Sequence, residues 1–245
     1  IAIYRAWIVA GGPVPKILAG HSLGEYSAYV VAKSLRFADA VPLVRFRAQA
    51  MQEAVPVGTG GMAAIVGLDD AAVIRLCLEA ASVSGSVVEA VNFNAPSQVV
   101  IAGSKSGVET ACAMAKPAGA KMAVPLAVSA PFHSSLLQPA ALRLQEYLGG
   151  IELSSPQIEV INNVDVSILS GPSAIKEALT RQACAPVRWV QTIQLMVEQG
   201  VTHIVECGPG KVLAGMVKRI DSQVRILGIS SPESITQVLG ELQEN

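Results

Sequence analysis

Aromatic side chains are scarce in this 245-residue chain, at 4% of residues. Charge is scarce as well, at 15%, and its signs balance: 18 Lys and Arg against 19 Asp and Glu. With no basic excess, nothing in the composition points to nucleic acid as a partner. The four cysteines, Cys77, Cys112, Cys184 and Cys207, form no Cys-x-x-Cys pair. They read as reduced core residues of a cytoplasmic protein. No uninterrupted apolar run is long enough to cross a bilayer, and no signal-peptide pattern opens the chain. What is plentiful is hydrophobic sequence, 51% of the chain and mostly Ala, Val, Ile and Leu. That is ample for a sizeable core in one or two domains, and it suits a buried parallel sheet with helices on both faces.

Against that background one stretch stands out, Ala19-Gly20-His21-Ser22-Leu23-Gly24-Glu25-Tyr26. It contains Gly-x-Ser-x-Gly, entered from the apolar run Ile17-Leu18-Ala19 and left through a helix-forming segment, Tyr26 to Lys33. Strand, tight turn and helix are the context in which this motif makes a nucleophile elbow. The competing reading is a glycine-rich turn with a serine N-cap. An elbow strains the serine backbone and needs small neighbours, so side chains at Gly20 and Gly24 are both expected to collide with strand or helix. At a helix N-terminus, free N–H groups favour developing negative charge, and the N–H of Leu23 is expected to supply half of an oxyanion hole.

Periodicity predicts helices over 1–10 and 37–53, with Val41, Val44, Ala48 and Met51 as the apolar face of the second. The Gly-rich stretch 55–61 marks a boundary. Beyond it, strands at 62–67, 87–93, 98–102 and 121–125 are interleaved with helices at 69–81 and 104–116. That order, β-α-β-β-α-β, is the ferredoxin-like split unit. The expectation is an α/β protein in which residues 57–126 form a small inserted subdomain. Residues 1–56 and 127–245 form the main domain, with short strands near 158–161, 203–206 and 226.

A serine hydroxyl needs a base, and there are three histidines to choose from. His21 adjoins Ser22, so its side chain leaves the elbow in another direction and reads as structural. His203 sits within a strand pattern. His133 lies in the loop-like Ser129-Ala130-Pro131-Phe132-His133-Ser134-Ser135 just after a strand, where catalytic groups gather; otherwise it is a surface loop histidine. Asp165, Asp221 or a main-chain carbonyl could orient its imidazole. Arg47, by helical spacing, falls on the apolar side with Val44 and Met51. There it must meet an anion or reach solvent, and its planar fork suits a carboxylate.

Longer strings carry a resemblance. They are Gly20-His-Ser-Leu-Gly-Glu-Tyr-Ser27, Met51-Gln-Glu-Ala-Val-Pro56, Met62-Ala-Ala-Ile-Val-Gly-Leu-Asp-Asp70 and Val91-Asn-Phe-Asn94. Pro131-Phe-His133, Asn162-Asn-Val-Asp165, Arg181-Gln182, Gly208-Pro-Gly-Lys-Val-Leu213 and Lys218-Arg219-Ile220 follow. In this order and over essentially the whole chain, the sequence resembles the malonyl-CoA:acyl carrier protein transacylases of bacterial type II fatty acid synthesis. The resemblance implies an α/β-hydrolase-like main domain with a parallel sheet and an inserted ferredoxin-like subdomain. It implies Ser22 as nucleophile, His133 as base and then acid, the main-chain carbonyl of Gln182 as the group orienting His133, and Leu23 as oxyanion donor. Arg47 would clamp the malonyl carboxylate, Phe132 would crowd a substituent on the malonyl α-carbon, and His21 would join them in lining the substrate site.

The partners so implied are malonyl-CoA and acyl carrier protein, with no cofactor or metal and no membrane. The enzyme would be a cytoplasmic monomer, and its carrier could serve fatty acids or polyketides. Because acyl carrier proteins are acidic, a basic patch should receive them. Lys218 and Arg219 are the first candidates, with Lys211 and Arg188 behind them. Two other readings stand beside this one. A serine esterase of α/β-hydrolase type would need an acid between Ser22 and His133 and leaves the insertion unexplained. A non-catalytic carrier-binding fragment would follow if the chain lacks an N-terminal part. That lack is expected here, since Ile1–Val9 reads as helix interior without initiator Met or N-cap, and the family's Phe-Pro-Gly-Gln-Gly type segment, whose glutamine N–H completes the oxyanion hole, is absent.

Overall fold

The computed structural model describes residues 1–243. Helix α1 (Ala2–Val9) leads to strand β1 (Ile17–Ala19), followed by α2 (Leu23–Val31) and α3 (Phe37–Glu53). Then come β2 (Gly60–Val66), α4 (Asp70–Ser84), β3 (Val88–Ala95), β4 (Gln98–Ser104), α5 (Lys105–Ala115) and β5 (Met122–Pro125). A long loop and one 3-10 turn lead into α6 (Gln138–Gly149), then β6 (Glu159–Ile161), α7 (Pro172–Gln182) and α8 (Trp189–Glu198). The chain continues through β7 (His203–Cys207), α9 (Val212–Ile220), β8 (Arg225–Ile229) and α10 (Pro232–Gln243).

In the main domain β1 pairs in parallel with β6, and β7 in parallel with β8. Among the described residues these two pairs are not joined into one sheet. An apolar groove of about 670 Å³ lies where they face each other, lined by Trp7, Ile17, Ala19, Ile204 and Ile226. The parallel strands expected from the sequence are therefore present as two separate pairs. Tyr26, Tyr29, Leu43, Leu137, Leu144, Val160 and Ile175 pack into one core that fuses α2, α3, α6 and α7 around β6. Each such side chain contributes roughly 1.5–3 kcal/mol by leaving water.

The expected β-α-β-β-α-β order is there, as an antiparallel sheet in the order β3-β4-β2-β5. Its helices start on side-chain caps: Asp69 accepts from the N–H of Ala72, and Ser104 from that of Gly107. The two-residue alternation of the strands then builds two different faces. Ala63, Ile65, Val99 and Ile101 point under α4 and α5. Met62, Val91, Val100 and Ala102 point the other way and meet Phe132 of the main domain. One face of this small sheet thus becomes a wall of the site. Main-chain bonds lock it there: Phe93 N–H donates to Val187 O (3.0 Å) and Val187 N–H to Val91 O (2.9 Å).

Two local expectations are corrected. The buried stripe of α3 is Ala40, Leu43, Arg47, Ala50 and Met51, while Val41 and Ala48 are exposed and Val44 is half-buried. Ala40 and Leu43 each precede by one residue the positions expected to face inward, Val41 and Val44, while Arg47 and Met51 lie on the inward side as expected. Arg47 therefore shares its face with Leu43 and Ala50. At the elbow, only one of the two glycines is sterically required. A Cβ on Gly20 would stand 1.9 Å from the main-chain carbon of Gly24, whereas a Cβ on Gly24 meets nothing within 4 Å. The elbow needs Gly20 because the first turn of α2 passes directly over it.

The two positions should therefore separate cleanly. Gly20→Ala is expected to cost about 3 kcal/mol or more of stability through overpacking against backbone. Gly24→Ala should fall between neutral and a gain of about 1 kcal/mol from reduced backbone freedom. Urea denaturation of the two variants checks this, and equal losses would contradict the stated geometry.

Candidate active site

Ser22 sits between β1 and α2 at φ 51° and ψ −106°, a left-handed backbone that a non-glycine residue adopts only under constraint. The constraint is Asn163, at the end of β6. Its Oδ1 accepts from Ser22 N–H (2.7 Å) and its Nδ2 donates to Gly20 O (2.8 Å). One amide thus ties down both arms of the turn. The hydroxyl of Ser22 makes no capping bond to α2. It is free to face the site, so Ser22 stands at the N-cap position of α2 without capping the helix through its side chain. Leu23, the first residue of α2, presents an N–H that has no partner within a helix.

His133 occupies the loop after β5 at φ 67°, a conformation that His visits more readily than most residues. The turn is braced by Ser134, whose Oγ donates to Pro131 O (2.7 Å). The ring is 4% exposed. Its Nδ1 lies 2.8 Å from Gln182 O. A carbonyl only accepts, so Nδ1 carries the proton and Nε2 presents a lone pair. The Ser22 hydroxyl donates to that Nε2 at 2.7 Å. Among the described residues no carboxylate takes the orienting place. Asp165 pairs with Arg181 (2.6 Å) and Asp221 accepts from Gln223 N–H (2.7 Å). Burial, with the Arg47 charge next in weight, pushes the His133 imidazole down to about 3.

Arg47 is 7% exposed. Its Nη2 donates to Ser22 Oγ (3.0 Å) and to Gln182 Oε1 (3.0 Å). The guanidinium lies over the Tyr26 ring, 5.4 Å from its centroid. Its Nε is buried and has no hydrogen-bond partner among the described residues. An arginine so placed has a donor to spare beside the serine.

These groups face a cleft of about 340 Å³, walled by Met51, Met62, Val100, Leu126 and Val128 together with Phe132 and His21. The His21 Nε2 and Asn94 Oδ1 lie 2.8 Å apart, and the ring meets Trp189 edge-on at 5.5 Å. Of the basic candidates on α9, Lys218 and Arg219 are both exposed, and Arg219 donates to Pro96 O (3.0 Å) and to Gln98 Oε1 at the β3–β4 turn. Arg188 donates to Val164 O (3.2 Å), and Lys211 is exposed.

Three groups at the site carried no assignment in the sequence. The Asn163 amide was one of them. Glu25 is another: it is completely buried, and its Oε2 accepts from Gln182 Nε2 (2.6 Å) and from Asn163 N–H (3.0 Å). The third is the side chain of Gln182, which also donates to Ser22 O (3.0 Å). The available signal was helical spacing: Glu25 lies three and four residues before the buried Ala28 and Tyr29.

Comparison with known proteins gives a consistent set of relatives. The acyl transferase domain family matches residues 1–245. The malonyl CoA-acyl carrier protein transacylase of Escherichia coli strain K12 is 51% identical over 239 residues, covering 98% of this chain and 77% of that protein. A crystal structure of an acyl-carrier-protein S-malonyltransferase from Burkholderia pseudomallei superposes with a TM-score of 0.96 at 60% identity, covering 98% of this chain and 77% of the other. A malonyl-transacylase in complex with its type II polyketide acyl carrier protein superposes with a TM-score of 0.95 at 49% identity, with the same two coverages.

A base must be neutral to accept the serine proton, and His133 is held neutral far below the pH at which an ordinary histidine protonates. Labelling of Ser22 by a fluorophosphonate should accordingly keep most of its rate down to about pH 5.5. A halving centred near pH ~6.5, the ordinary histidine value, would contradict the geometry described.

Proposed function

The chain belongs to the acyl transferase domain family, and from that premise we propose that it transfers malonyl from coenzyme A to the phosphopantetheine thiol of an acyl carrier protein, through an ester on Ser22. The observation that carries the malonyl assignment is Arg47: buried, 3.0 Å from Ser22 Oγ through Nη2, with Nε unpartnered. A carboxylate carried on the acyl group would accept from that guanidinium and offset the cost of burying it. A neutral acetyl group offers no such acceptor, which is the basis for discrimination.

Transfer proceeds in two halves. Nε2 of His133 takes the Ser22 proton as Oγ attacks the thioester carbonyl. The oxyanion faces the Leu23 N–H at the start of α2, where the helix dipole also favours negative charge. As the C–S bond breaks, the imidazolium returns its proton to the departing coenzyme A sulfur, leaving malonyl on Ser22. The carrier thiol then gives its proton to Nε2 and attacks the ester, and Ser22 Oγ leaves as a hydroxyl with that proton. Gln182 O keeps the proton of Nδ1 in place throughout, so the ring is never presented in the wrong tautomer.

Phe132 and His21 shape the cleft at the acyl end, with the Phe132 ring crowding any branch on the malonyl α-carbon. Lys218 and Arg219 are the exposed basic groups we assign to the carrier, the second steadied by Pro96 O and Gln98 Oε1, neutral acceptors that leave its charge in place. The reaction needs no cofactor, since acid, base and nucleophile are all side chains. Among the described residues no helix is long and apolar enough to cross a membrane, and we read the enzyme as cytoplasmic.

Brief incubation with malonyl-CoA followed by intact-protein mass measurement tests this. The expected result is one malonyl adduct on the parent chain, none on Ser22→Ala, and loss of the adduct when a phosphopantetheinylated carrier is added. An adduct that persists on Ser22→Ala, or a folded parent chain that takes none, would overturn the reading.

A further inference from the structure

We propose that Glu25 is a positioning residue that sets the preference for a carboxylated acyl group. It acts through the Gln182 side chain, which it holds so that Gln182 in turn holds Arg47. The inference rests on the function proposed above and concerns how its selectivity is built.

The argument begins with the orientation of one amide. Gln182 Nε2 lies 2.6 Å from Glu25 Oε2 and 3.0 Å from Ser22 O, both acceptors. On its other side, Gln182 Oε1 lies 3.0 Å from Arg47 Nη2, a donor. Only one flip of the amide satisfies all three contacts. Without Glu25, Ser22 O alone would hold the NH₂ end. A flipped amide would then point NH₂ at the guanidinium, donor against donor. Glu25, by the shortest of the three contacts, therefore reinforces with Ser22 O the orientation in which Gln182 accepts from Arg47.

The same carboxyl oxygen also accepts from Asn163 N–H (3.0 Å). Glu25 thereby joins the start of α2, the end of β6 and the end of α7 at one atom. Burial pushes its carboxyl up to about 7, against the Gln182 and Asn163 hydrogen bonds and the Arg47 charge, which favour ionisation. Around neutral pH, protonated and ionised forms coexist. What both provide is Oε2 as an acceptor, since Oε1 makes no hydrogen bond and can carry the proton. The role therefore belongs to the acceptor and its position, and an isosteric amide can fill it.

The readout is the ratio of Ser22 acylation rates with malonyl-CoA and with acetyl-CoA, from intact-protein mass, together with circular dichroism and thermal unfolding to establish folding. In Glu25→Ala the ratio is expected to fall at least tenfold, mainly through the malonyl KM, and in Glu25→Gln to stay within tenfold of the parent. Gln182→Met removes the side-chain amide while keeping the main-chain carbonyl that orients His133, and should lower the ratio by at least the same factor. The double variant Glu25→Ala/Gln182→Met should be no worse than the weaker single variant.

Should Glu25→Ala fail to fold, Gln182→Met and Glu25→Gln decide alone. A ratio in folded Glu25→Ala or in Gln182→Met that falls less than tenfold would overturn the proposal, as would an equal loss in Glu25→Gln. A parent chain that takes no malonyl would instead overturn the function on which the proposal rests, so the two failures are distinguishable.

Discussion

Burying a guanidinium is the constraint around which this site is arranged. Removing an isolated charge from water costs several kcal/mol even after relaxation, and Arg47 is placed on the inward stripe of α3, between Leu43 and Ala50. The structure meets part of that cost with Ser22 Oγ, Gln182 Oε1 and the face of Tyr26. It leaves Nε unspent. Neighbouring groups register the same charge: it is the second cause of the His133 depression, after burial, and it works against the burial of Glu25. This cation thus adds to burial in keeping the His133 imidazole neutral, and it leaves the pocket short of an anion.

The second theme is strain held by side-chain amides. Ser22 and His133 both have positive φ, although neither is glycine. Conformations of that kind cost of order 1–3 kcal/mol and persist where surrounding bonds over-determine them. For Ser22 the surrounding bonds come from Asn163, and for His133 from the Pro131–Ser134 turn and Gln182 O. Gln182 serves twice. Its main chain fixes the tautomer of His133 and its side chain meets Arg47, so the end of α7 brings the two into register. The small subdomain adds the opposite wall through the outward-alternating residues of β2 and β4, Met62 and Val100.

Much of this was legible in the sequence where the physics is local. The elbow showed through the glycines flanking Ser22. The β-α-β-β-α-β unit showed through the order of its strand and helix segments beyond the Gly-rich stretch 55–61. His133 showed through its place after a strand. What escaped was non-local. The stripe of α3 lies a residue away from the expected Val41 and Val44, although Arg47 and Met51 face inward as expected, and the clash expected at both glycines belongs to Gly20 alone. Asn163 stood in a noted string without a role, because nothing short of the folded chain brings it 141 residues back to the amide of Ser22. Glu25, three residues from Ser22, lies in the first turn of α2, and nothing beside it in the sequence marks a role. Its function depends on an amide 157 residues away.

The central claim is that Arg47 selects the acyl group rather than merely supporting the fold. The most direct test compares Ser22 acylation by malonyl-CoA and acetyl-CoA in the parent chain and in Arg47→Met, which keeps the bulk of the side chain and removes its charge. The malonyl rate should fall by roughly 10²-fold or more, while the acetyl rate holds or rises, inverting the preference. Rates that fall together, leaving the preference where it was, would contradict the account.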